Sequence, residues 1–187
     1  MRARLRAMNR RDDVCPPHRD RVFRLITLAL LAALGFGAPA ARADDPSFVA
    51  FSAGAFDIGK DETAFEGRAE YRSDYKLWIF KPLVGGMFTS DAAVYGYAGV
   101  LIDIYFGRRV VAGLSFAPGL FAEGDGKDLG HALEFRSQIE IAYRFDNRSR
   151  LGVALSHMSN ASIGDDNPGA ESLVLTYAIP TSKLFGR

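Results

Sequence analysis

The sequence predicts an all-β fold, an eight-stranded antiparallel transmembrane β-barrel. Three observations predict it. Apolar and polar residues alternate with period two in segment after segment, with Gly, Asp, Asn and Ser at the breaks. The segments number about eight, an even number, and several exceed the roughly five or six residues usual for soluble strands. The connections between them alternate in length, as the turns and outer loops of a membrane barrel do.

The chain opens on a stretch outside that pattern. Arg19, Arg21 and Arg24 form a positive region, residues 25–36 are apolar apart from Thr27 and Gly35, and Ala41-Arg42-Ala43 offers a small-x-small cleavage site. The apolar run, about a dozen residues, is too short for a spanning helix, which needs roughly 20. A signal peptide over 1–43, with a long leading segment, and one domain over 44–187 are therefore expected. The lone cysteine, Cys15, lies in the leader, which excludes a disulfide scaffold in the exported part. The leader also takes nine of the 23 Lys+Arg and three of the 22 Asp+Glu, leaving 14 basic against 19 acidic residues, a formal charge of −5. Without a basic patch to neutralise phosphates, nucleic acid is not an expected partner.

Strand-like segments follow in order at 47–57, 62–72, 75–85, 92–106, 108–122, 130–145, 150–159 and 170–179. Tight turns are expected at 72–74, 107–108 and 146–149, and longer loops at 85–91, 123–130 and 160–170. The sixth segment is the clearest. Leu133, Phe135, Ser137, Ile139, Ile141, Tyr143 and Phe145 share one parity, while Glu134, Arg136, Gln138, Glu140 and Arg144 occupy the other with Ala142. A soluble sandwich would turn the charged row to water, and a small membrane barrel would turn it inward. One strand does not separate these readings, but the whole set, with no amphipathic helix between the strands, favours the barrel. Aromatic residues near strand ends (Tyr71, Tyr75, Trp78, Tyr95, Tyr143, Phe145) suit an interfacial girdle.

The seventh and eighth segments carry the chemistry. Leu151, Val153, Leu155, His157 and Ser159 share one face, and Glu171, Leu173, Leu175, Tyr177 and Ile179 share another. His157, Ser159 and Glu171 therefore stand in rows that are otherwise lipid-facing. A charge on that face costs about 2–4 kcal/mol at mid-bilayer for Arg or Lys and about 0–1 near the interfaces, and all three sit at the loop end. A hairpin turn centred near Gly164 would set Glu171 opposite His157, with Cβ atoms about 5 Å apart. Ser159 would then lie two residues along, roughly 7 Å between Cα atoms. Nucleophile, base and base-orienting carboxylate are the three parts of a serine hydrolase.

Asn160 and Asn167 read as turn residues, or as amide donors aimed at an oxyanion. Pro168-Gly169 reads as turn chemistry, Asp165 and Asp166 as solvated loop charges, and His131 as a surface residue. No His/Cys cluster is present to bind a metal, and no cofactor is implied.

The run His157-Met158-Ser159-Asn160-Ala161, followed by Asn167-Pro168-Gly169-Ala170-Glu171-Ser172 and on to Pro180, resembles the C-terminal signature of the lipid A 3-O-deacylase (PagL) family. The stretches Ser115-Phe116-Ala117-Pro118 and Glu134-Phe135-Arg136 are similar in kind but less diagnostic. The resemblance implies an eight-stranded barrel in the cell outer membrane with its active site on the lipid-facing surface. It implies Ser159 as nucleophile, His157 as general base, Glu171 as orienter, Asn167 in the oxyanion hole and Asn160 in support. The implied substrate is the 3-O-linked hydroxyacyl ester of lipid A in lipopolysaccharide. Two other readings stand beside it: a non-enzymatic barrel, structural or ligand-binding, and a lipid acyltransferase using the same serine. The tail after Pro180 departs from a barrel that ends on an aromatic within its last strand.

Overall fold

The computed structural model describes residues 45–59 and 63–186. The signal peptide expected over 1–43 lies outside the described residues. Eight strands follow in chain order: β1 (Phe48–Phe56), β2 (Ala64–Arg72), β3 (Lys81–Thr89), β4 (Val94–Phe106), β5 (Val110–Ala122), β6 (Leu133–Arg144), β7 (Arg150–Ser159) and β8 (Ala170–Pro180). A short helix, α1 (Thr181–Phe185), ends the described chain. Each strand pairs antiparallel with the next, and β1 pairs with β8, so the sheet closes into a barrel. Closure gives the strands partners on both sides, which is what a hydrocarbon environment demands of backbone N–H and C=O groups.

Parity decides what each side chain meets. Along β7 every second residue is buried: Gly152, Ala154, Ser156 and Met158 point inward, while Leu151, Val153, Leu155 and His157 point out. On β6 the charged row, Glu134, Arg136, Gln138 and Glu140, is buried, and Ile139, Ile141 and Tyr143 are exposed to the surroundings. The greasy row thus faces lipid and the charged row fills the interior.

Inside, buried cations pair with carboxylates, along a strand or across the barrel. Arg72 donates to Glu70 at 2.7 Å and to both oxygens of Glu140 at 3.1 and 2.7 Å. Arg136 donates to Glu70 at 2.8 Å and lies 4.0 Å over the Tyr97 ring. Arg68 bonds Glu66, and reaches Gln138 at 2.7 Å and Ser156 at 2.8 Å. Nearer the end that holds the chain termini, Arg150 bonds Asp103 and Asp45, and Lys81 bonds Asp103 at 2.9 Å. Toward the other end an apolar plug takes over, with Phe56 stacked on Phe121, Tyr95 stacked on Tyr97, and Met87, Leu129 and Met158 packed among them.

Two expectations need correction. The third strand runs Lys81–Thr89, not 75–85. Gly85-Gly86 resembled a loop, but Gly85 lies in the ladder opposite Tyr97, where a Cβ would fall 2.7 Å from the Tyr97 hydroxyl and 2.8 Å from the Ala69 carbonyl. Glycine makes room there for a tyrosine inside the barrel. The connection before β3 therefore lengthens to 73–80, closed by reciprocal Leu77–Phe80 backbone bonds with Trp78 in the left-handed region, and the connection after it shortens to 90–93. The alternation of short and long connections is correspondingly less regular than the sequence suggested. Tyr95 is the second correction. It is not an interfacial aromatic but is buried in the barrel, where its hydroxyl donates toward the Ala117 and Glu134 carbonyls at 2.8 and 3.0 Å. Its parity on β4 sends it inward. Tyr71, Tyr75, Trp78, Tyr143 and Phe145 are exposed at the terminal end, as a girdle requires.

Replacing Arg72 by Met would take from Glu140 its cation and leave Glu70 with Arg136 alone. Breaking a buried pair in this way costs about 3–5 kcal/mol. Urea unfolding of the refolded barrel in lipid vesicles should show that loss, and a change under about 1 kcal/mol would mean that the interior charges are not coupled as described.

Candidate active site

The site lies at the β7–β8 hairpin, at the end of the barrel away from the chain termini. The ladder sets His157 opposite Glu171, as the sequence parity requires, and Met158 opposite Ala170. His157 Nδ1 lies 3.1 Å from Glu171 Oε1, and the two side chains remain 54% and 40% exposed on the outer wall. With the Nδ1 proton donated to the carboxylate, Nε2 becomes the ring's acceptor. Ser159 ends β7 in the same outward row and pairs across to Phe135 on β6. Phe135 stacks on Phe116, centroids 6.0 Å apart, so an aromatic surface borders the serine on the lipid side. Among the described residues no direct hydrogen bond joins Ser159 to His157. In resting hydrolases that contact is often long and closes with substrate.

Glycine at position 169 is a local requirement. Its φ is +61°, and a Cβ there would stand 3.0 Å from His157 Cε1 and 3.3 Å from the Met158 carbonyl. The Gly169 backbone therefore backs the imidazole.

The two asparagines differ. Asn160 is fully buried on the inward side of the hairpin. Its amide donates to the carbonyls of Leu129 at 2.9 Å and Asp166 at 2.7 Å, and its Oδ1 accepts from Ser162 N–H at 2.9 Å. Both donors of that amide are thus engaged, one tying the 160–169 connection to the 123–132 connection and the other bracing the 160–169 connection itself. Asn167 is exposed, and its Oδ1 accepts from the backbone N–H of Asn160 at 3.1 Å, beside Ser159. Its Nδ2 has only a long 3.5 Å contact to Ser162 Oγ, and so is the more available amide donor on this hairpin. The sequence did not single out Lys127, which is nearly buried under the hairpin and bonds Asp57 and the Gly169 carbonyl. A lone lysine in a loop carries no local signal of that placement. His131 is exposed and accepts the Leu133 N–H at 2.9 Å. Among the described residues no group of three or more His, Cys, Asp or Glu side chains is placed to hold a metal ion.

A closed barrel with an apolar exterior, a charged interior and an outward-facing His–Glu pair beside a serine defines a class, that of membrane-barrel proteins with a polar constellation on the lipid wall. The family model of lipid A 3-O-deacylase (PagL) matches residues 63–180, most of the described chain, and the protein belongs to that family. It is an outer-membrane protein. Lipid A deacylase PagL of Pseudomonas aeruginosa is 33% identical over 119 residues, 63% of this chain and 60% of that protein. Lipid A deacylase PagL of Bordetella bronchiseptica is 33% identical over 76 residues, 41% of this chain and 38% of that protein. The chain thus matches less than two thirds of the length of either relative. The crystal structure of the outer membrane enzyme PagL superposes with a TM-score of 0.59 at 21% identity, covering 71% of this chain and 99% of that one. Neisserial surface protein A superposes with a TM-score of 0.56 at 11% identity, covering 71% and 96%. At these identities the two structures share the barrel fold with this chain.

A chain exported with its termini on the periplasmic side would present the 160–169 connection to the cell exterior. A cysteine at the exposed position Asp166 should then react with a membrane-impermeant maleimide on intact cells, since 44–187 contains no cysteine of its own. Labelling that waits for the outer membrane to be breached would invert the topology.

Proposed function

We propose that this protein is a serine esterase that removes the 3-O-linked hydroxyacyl chain from lipid A, with Ser159, His157 and Glu171 as its catalytic residues. The observation that carries the reading is the 3.1 Å His157–Glu171 contact on the lipid-facing wall, with Ser159 in the same outward row. A hydrolytic site so placed meets substrates that reside in the membrane, and the names of the relatives supply lipid A as the substrate class.

In this mechanism Ser159 Oγ attacks the ester carbonyl while His157 Nε2 takes the hydroxyl proton. Glu171 holds the Nδ1–H tautomer and stabilises the imidazolium. The tetrahedral oxyanion is held by amide donors, with the Asn167 side chain the candidate on this hairpin. One such donor is worth about 3–4 kcal/mol. Collapse breaks the ester C–O bond, and the imidazolium returns its proton to the sugar alkoxide. Water, deprotonated by His157, then attacks the acyl-serine, releasing the hydroxy fatty acid and restoring Ser159. Asn160 supports the site from behind by holding the two connections together.

Mass spectrometry of lipid A from cells with and without the protein tests the reaction. Loss of one hydroxyacyl mass is the expected result. A gain of one acyl mass would replace hydrolysis by transfer, and an unchanged spectrum would favour a non-enzymatic barrel.

Ser159→Ala should insert and fold normally, because the side chain stands outside the packed interior, yet lose deacylation. Normal activity in the correctly inserted variant would remove the nucleophile assignment. Glu171→Gln should retain more activity than His157→Ala. The amide can still bond the imidazole but cannot stabilise its positive charge, whereas the second variant deletes the base. Initial rates in one lipid mixture make the comparison, and equal losses would give the carboxylate's charge the larger part.

A further inference from the structure

We propose that Lys127, acting with Asp57, is a positioning residue that holds the His157 imidazole and the Glu171 carboxylate in register, a role that rests on the esterase reading above. Three connections meet at this lysine. Lys127 belongs to the 123–132 connection, Asp57 follows β1, and Gly169 precedes β8. The lysine side chain is 11% exposed and the aspartate side chain 1%. Nζ lies 2.9 Å from each Asp57 carboxylate oxygen and 2.7 Å from the Gly169 carbonyl oxygen. An ammonium carries three N–H donors, and here three acceptors surround it. Burial strengthens each of these contacts relative to water.

The grip acts directly behind the candidate catalytic pair. Gly169, whose carbonyl the lysine holds, is the residue whose backbone stands against His157 Cε1. Two residues on, the Glu171 carbonyl accepts the Ile58 N–H at 3.0 Å, and Ile58 adjoins Asp57. The segment after β1 therefore holds the start of β8 at two points, at Glu171 directly and at Gly169 through Lys127. His157 and Glu171 are themselves about half exposed, so little packing on their outer side fixes their mutual angle. Their orientation comes from the backbone behind them, and Lys127 anchors that backbone. A plain loop staple would affect folding yield alone. A positioning residue changes the turnover of the folded enzyme and the state of the imidazole proton.

The test uses the full barrel refolded in detergent, with lipid A in mixed micelles as substrate. Lys127→Met and the double variant Lys127→Met/Asp57→Asn are compared with wild type, the double variant removing the buried charge that the single one leaves behind. Folding is read from heat-modifiable gel mobility, turnover from kcat and KM, and the His157–Glu171 contact from the Nδ1–H resonance of His157 in protein labelled with 15N-histidine. The expected result in either folded variant is a fall in kcat of at least about tenfold. KM should stay within about twofold, and the Nδ1–H resonance should be lost or shifted. If the single variant does not fold, the double variant decides. Wild-type kcat in a folded variant, or an unchanged His157 resonance, would overturn the positioning role. Should the wild-type protein lack esterase activity, the proposed function falls, and the resonance alone decides whether Lys127 sets the imidazole.

Discussion

Everything in this barrel follows from closing an eight-stranded ladder in a medium that offers its backbone no hydrogen bonds. Once β1 pairs with β8, register is fixed around the whole circumference, and with it the face on which every side chain stands. A slip of one residue in β6 would expose Arg136 and Glu140 to lipid and bury Ile139 and Ile141. The interior charges are tolerable because buried cations are met by carboxylates, along one strand as Arg72 is by Glu70 or across the lumen as Arg72 is by Glu140. Such pairs need not add stability relative to an apolar filling. They do penalise any arrangement that separates them, and so they work with the apolar outer rows to specify one register.

The same parity that hides Arg136 displays His157. The candidate site is a local exception to the rule that the outer row is apolar, and it is placed where the exception costs least, at the loop end of β7 and β8. The hairpin there is organised from within. Asn160, inward-facing and fully satisfied, joins two connections, while the next residue back, Ser159, faces outward. One peptide thus separates a structural side chain from a candidate nucleophile, and alternation alone tells them apart.

Much of this was legible in the sequence because period two is a strong signal. The charged row of β6, the outward row of β7 and the opposition of His157 and Glu171 all follow from counting by twos. What counting missed had particular causes. Gly85-Gly86 carries no side-chain pattern, so a strand accommodating Tyr97 resembled a loop. Tyr95 lies near a strand end like a girdle residue, but its parity points it inward. Asn160 was legible as a hairpin residue, whereas its contact with the Leu129 carbonyl depends on which loops meet above the barrel. The bond between Lys127 and Gly169 crosses 42 residues and two strands, and no local pattern announces it. Both asparagines were legible as candidate amide donors, but which of them keeps its amide available was not, because that depends on amide orientation within a ten-residue connection.

On the esterase reading proposed above, the outward placement of His157, Ser159 and Glu171 has a kinetic consequence. A site on the wall of a barrel is reached by lateral diffusion within one leaflet, not by collision from solution. Encounter then depends on the mole fraction of substrate in the surrounding film and on that film's fluidity, so diluting the membrane with inert lipid slows turnover even when the bulk substrate concentration is unchanged. Divalent ions that tighten the packing of neighbouring lipids would then slow encounter without touching the protein.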